Sequence, residues 1–143
     1  MTNAVFVDAE GALRDWINSV SGLTGQGNPI SLGAHLKPLR SPASGSYVRL
    51  LLLTSSPELT AERPIGRARV SGTIIGGTKE AASKAATAYA NQLASLKGEP
   101  VLMGSCLCLI ADNIVGPQAI NDQDTDKNQY RYLVDADLYF ATP

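Results

Sequence analysis

RARVSGTIIGGTKEAASKAATAYANQLASLKGEPVLMGSCLCLIA, residues 67–111, is the stretch around which the rest of the chain is organised. Alternating and then continuous apolar residues over 68–76 read as a strand, and Gly76-Gly77 as a tight turn. Residues 78–96 then read as a helix, Gly98-Glu99-Pro100 as its stop, and 101–111 as a second strand. The helix signals agree with one another. Thr78 is a good N-cap, Glu80 places an anion where the macrodipole favours it, and Lys97-Gly98 closes the far end. Ala82, Ala85, Ala86, Tyr89, Leu93 and Leu96 fall on one stripe of mostly small residues, so this helix can lie close to a sheet.

Working outward, Asp8 caps a first amphipathic helix over 8–20, with Ala9, Leu13, Trp16, Ile17 and Val20 on its apolar face. Trp16 reads as a packing anchor. Residues 23–46 are interrupted by Gly25, Gly27, Pro29, Gly33, Pro38, Pro42 and Gly45, and read as a long irregular loop that carries function or docks on another chain. Residues 47–54 form an apolar central strand, and 55–64 an exposed connection with two prolines. Residues 112–129 read as a polar loop, and 130–140 as a final strand. There Tyr132, Val134, Ala136, Leu138 and Phe140 share one face, and Arg131, Asp135, Asp137 and Tyr139 the other. The expected fold is one α+β domain over 1–143. Its sheet is mainly antiparallel or mixed and four-stranded (47–54, 67–76, 101–111, 130–140), with the two helices packed on it. If the strands at 67–76 and 101–111 are neighbours, they are parallel with a right-handed crossover.

Composition narrows the function. The 143 residues are 44% hydrophobic and 17% charged with a formal net charge of −1, as for a globular domain that does not grip nucleic acid through its phosphates. Cys106 and Cys108, at i and i+2 of one strand, are badly placed for a disulfide and read as buried thiols of a reduced, cytoplasmic protein. The start does not resemble a signal peptide, and no apolar run approaches membrane-spanning length.

Each motif with chemical potential has an ordinary structural reading. Gly72-Thr-Ile-Ile-Gly76-Gly77-Thr78-Lys79 has the strand, glycine and helix-start context of a phosphate loop. A lysine that reaches the phosphates must precede the hydroxyl that reaches magnesium, however, and here Thr78 precedes Lys79. It reads as a capped crossover turn, with a nucleotide-binding enzyme as the alternative. A small-molecule binding module between sheet and helices is a further one, with no convergent polar groups to support it. Asp122, Asp124, Asp126 and Asn128 alternate like the start of a calcium loop, but Lys127 stands where glycine is needed and Leu133 where the closing glutamate belongs, so they read as a solvated acidic turn. His35, the sole histidine, reads as a solvated loop residue, and no metal site is expected. Asp135 and Asp137 share a face and are expected to meet Arg49, Arg69 or solvent rather than to act as an acid–base pair. No nucleophile elbow, cysteine–histidine arrangement or His-Glu-x-x-His is present, so no catalytic, cofactor-binding or metal-binding residue is assigned and the chain reads as a non-enzyme.

The order of elements carries one resemblance. An initial amphipathic helix (8–20), a Gly/Pro loop, a Tyr47-Val-Arg-Leu strand, a partner strand, an Ala-rich helix and strand (81–96, 101–111) and the ending Arg131-Tyr-Leu-Val-Asp-Ala-Asp-Leu-Tyr-Phe140 follow one another. Over nearly its whole length this resembles the tail terminator (tail-completion) proteins of long-tailed bacteriophages, in particular those of phages of actinobacteria. The resemblance implies a structural virion protein at the head–tail junction, assembled in the host cytoplasm. It would form a homohexameric ring on the last ring of the major tail tube protein, stop tube growth and present a surface to the head-completion or connector protein. DNA would pass through without sequence-specific binding. No cofactor is implied, and no site residues are carried over.

Overall fold

The computed structural model describes residues 7–19, 33–35, 47–59, 64–76, 78–97, 99–104, 106–120 and 130–141. Two helices, α1 (Ala9–Ser19) and α2 (Lys79–Ala94), pack on one face of a single sheet. Its strands are β1 (Gly33–His35), β2 (Tyr47–Leu59), β3 (Pro64–Gly76), β4 (Val101–Met103), β5 (Cys106–Ile120) and β6 (Tyr130–Ala141), in the order β1-β2-β3-β6-β5-β4. All pairings are antiparallel except β1 with β2. The α+β class, the mainly antiparallel sheet and both helices are as expected. The sheet has six strands rather than four, because three-residue strands flank the four long ones.

Both helices start where their caps lie. Asp8 Oδ1 accepts from the Gly11 amide at 3.1 Å, and Thr78 Oγ1 from the Ala81 amide at 3.1 Å, satisfying donors that the first turn leaves open. The expected stripe of α2 is buried throughout, as are Leu13, Trp16 and Ile17 of α1. Facing them are Val48 and Leu50 of β2, Ala68, Val70 and Ile74 of β3, Val134, Ala136, Leu138 and Phe140 of β6, and Cys108 of β5. Gly72 leaves the space that the Tyr89 ring fills. A Cβ there would lie 3.0 Å from Tyr89 Cε1 and 3.1 Å from Val48 Cγ2.

Three sequence expectations need correction. The strand expected over 101–111 is a hairpin of β4 and β5, turning at Gly104 with φ +57°. The connection expected over 55–64 is largely strand, since Ser55 to Leu59 pair with Ala68 to Pro64. Pro57 and Pro64 are tolerated there because β2 has no outer neighbour beyond Arg49 among the described residues, and Pro64 opens its strand. The polar loop expected from residue 112 begins as strand, since β5 continues to Ile120. Register shifts between Cys108 and Ile110, Asp112 and Val115, and Val115 and Gln118 break its alternation, so no period of two is readable. The strand order, which the sequence leaves open, puts β6 between β3 and β5, so the condition for a parallel crossover between them is not met.

The loop expected over 23–46 lies outside the described residues, apart from Gly33–His35. The main chain of His35 is paired in a strand against Arg49 rather than looping in solvent. The acidic turn at Asp122–Asn128 also lies outside the described residues.

The sheet is curled. β1 pairs with the beginning of β2, whereas β4 pairs with the beginning of β5, at the other edge and the other end of the strands. On a flat sheet they would be roughly 35 Å apart. The 11 residues of α1 span about 16 Å, yet α1 contacts β1, β2 and β3 as well as β4. Two contacts fix this placement. Glu10 Oε2 accepts from the Leu52 amide at 2.7 Å, and the Gly104 turn lies against Ala12 and Asp15.

Candidate functional site

The helix-covered face is filled with apolar side chains, so the face of the sheet turned away from the helices is the candidate site. Register alone brings its centre together. Arg69 stands opposite Asp137 and Arg67 opposite Tyr139, while Asp137 stands opposite Asp112 of β5. Two residues apart on one strand share a face, so Arg67 and Arg69 both reach the Asp137 carboxylate. Arg69 Nη1 donates to Oδ1 at 3.1 Å and Arg67 Nη2 to Oδ2 at 3.2 Å. The Asn113 side-chain amide donates to Oδ2 at 2.8 Å, and Arg69 also reaches the Asn113 carbonyl at 3.5 Å.

Asp137 is 1% exposed, and its partners explain how a carboxylate is held there. Burial pushes its pKa up. Hydrogen bonds from Asn113 and Arg69 and the charges of Arg67 and Arg69 outweigh burial and hold it below the ordinary aspartate value. Such a carboxylate is a permanent anion near neutral pH, a structural group rather than an acid or base. Its neighbour Asp135, half-buried, has an Oδ1 with no hydrogen-bond partner in the structure.

Of the partners expected for the aspartates, Arg69 is present, whereas Arg49 is exposed and outside this cluster. Sequence reasoning missed Arg67 and Asn113. Arg67 shares the parity of Arg69, and pairing β3 with β6 would have found it. Asn113 sits at φ +48° in a bulge, which has no period to read.

Elsewhere chemistry does not assemble among the described residues. The Thr78 hydroxyl is engaged as a cap, and Lys79 is exposed. Neither Cys106 nor Cys108 is in a disulfide, and burial pushes the Cys108 thiol up to about 12, which leaves it protonated and inert. Burial, with the charge of Asp135, also raises the Tyr89 phenol, so it stays neutral. No group of three or more His, Cys, Asp or Glu that could hold a metal is found among the described residues. No helix there is long and apolar enough to cross a membrane.

Apolar side chains flank the charged centre. Leu51 of β2 is 48% exposed and Val115 of β5 is 53% exposed, on the register row that runs through Ser71 and Asp135. Ile110 and Ile120 of β5 are exposed on the same side. Single exposed leucines carry no message, but apolar residues at both margins of one face suit contact with another protein surface. No protein-family model matches the chain, and no curated protein matches it.

Proposed function

We propose that the chain is the tail terminator of a long-tailed bacteriophage: a non-catalytic protein that closes the tail tube as a six-membered ring and offers the head a joining surface. The layout of the sequence carries this reading, from the capped helix at 8–20 to the closing strand at 130–140. The physical picture supports it. The described residues bring together an ion cluster and an apolar core rather than a reactive constellation, and the uncovered face of the sheet has apolar margins. The formal net charge of −1 suits a ring that DNA passes without being held.

A closed ring needs heterologous contacts, in which one patch meets a different patch on the neighbour. Residues 23–46 and the β2–β3 hairpin end at 55–66 are the segments assigned to these contacts, with the tail tube protein and the head-completion protein on the two ring faces. Deleting the gene in its source phage tests the proposal. Heads without attached tails and tails of abnormal length are expected in the micrographs. Normal-length tails joined to full heads would end the reading.

A further inference from the structure

We infer that Asp137 is a latch that holds the second half of β5, Asp112 to Ile120, against the sheet, and that this half opens as a unit when the latch is removed. The inference is independent of the function proposed above. Between Asp112 and Ile120 only Asp112, Val115, Gln118, Ala119 and Ile120 have register partners on β6, because two irregularities interrupt the ladder. On the outer side β4 pairs with Cys106 to Cys108 alone, so among the described residues no strand supports the segment there. Its side chains add little burial, since all of 112–120 are exposed except the half-buried Ile114.

The side-chain anchor stands where the ladder fails. Asn113, in the left-handed region, gives its amide to Asp137 Oδ2 at 2.8 Å. Asp137 is tied through Arg67 and Arg69 to β3, a central strand, so the bulge is fastened across β6 to the middle of the sheet. Arg67 and Arg69 of β3, Asp112 of β5 and Asp135 of β6 are the charged groups around this carboxylate. A hydrogen bond to a charged group is among the stronger ones a protein makes, and here it fastens a segment whose ladder is interrupted twice.

Amide hydrogen exchange on the full chain, read by mass spectrometry, tests this with Asp137→Asn and Asn113→Gly. Glycine accepts the left-handed backbone, so Asn113→Gly removes the anchor without straining the bulge. In Asn113→Gly, amides of 112–120 should exchange roughly 10- to 100-fold faster, while those of β2 and β3 keep their protection. Asp137→Asn should show the same pattern, with some loss spreading into β3. Unchanged exchange over 112–120 in Asn113→Gly, or acceleration spread evenly over the chain, would overturn the latch.

Discussion

Replacing Gly72 by alanine tests the packing of the helix face at its tightest point. The added Cβ would lie 3.0 Å from Tyr89 Cε1, 3.1 Å from Val48 Cγ2 and 3.2 Å from the Tyr89 hydroxyl oxygen. Ordinary van der Waals contact begins about 0.5 Å further out. Neither neighbour can turn aside into solvent, since Tyr89 is 1% and Val48 0% exposed. Overpacking of this kind costs about 1–3 kcal/mol. Alanine also restricts the unfolded chain, which returns about 0.4–1 kcal/mol. The net expectation is a destabilisation of about 1–2 kcal/mol, or a fall in Tm of roughly 3–7 °C for a domain of this size. Urea titration followed by Trp16 fluorescence measures it, because Trp16 is buried in the same core. A double-mutant cycle sharpens the test. Val48→Ala destabilises by itself but removes the methyl at 3.1 Å, so the double variant should be more stable than additivity predicts by at least about 0.5 kcal/mol. A Gly72→Ala protein as stable as the parent, or strictly additive effects, would refute the claim that Gly72 exists to seat Tyr89.

Asp137 is held below its ordinary value in the folded chain, so the unfolded chain binds more protons as the pH falls and stability must drop with it. The loss should begin near the unfolded-state value of about 3.9 and continue down through the folded value; urea midpoints from pH 7 to pH 3 should fall less steeply in Asp137→Asn than in the parent, and parallel curves would refute the assignment. Thr78→Ala should lower stability by about 1 kcal/mol in chemical denaturation and Thr78→Ser far less, since a hydroxyl at the cap is what the Ala81 amide needs; equal losses in both would show that the cap contributes nothing.

The helices were legible because their determinants are local. Asp8 and Thr78 cap amides three residues on, and the stripe from Ala82 to Leu96 follows from a period of 3.6 that neighbours in sequence express by themselves. The long strands were legible for the same reason, from 47, through 67–76 and over 130–140. Their neighbours were not. Nothing within β3 or β6 announces that β6 inserts between β3 and β5, because strand order is settled by which apolar faces bury one another and not by any one segment.

The candidate site divides along the same line. Alternation put Arg69 and Asp137 on faces that could meet, and that was readable from each strand alone. The depth of the Asp137 carboxylate, its second arginine Arg67 and its tie to Asn113 came from register across three strands and from a bulge with φ +48°. A bulge erases the period of two on which sequence reading depends, so β5 past Asp112 looked like loop while the sheet made it strand. Local spacing thus determined the helices, the caps and the parity of β3 and β6. Tertiary structure alone decided the curl around α1, the seat of Tyr89 on Gly72 and the burial of Asp137, because each depends on groups far apart in sequence being close in space.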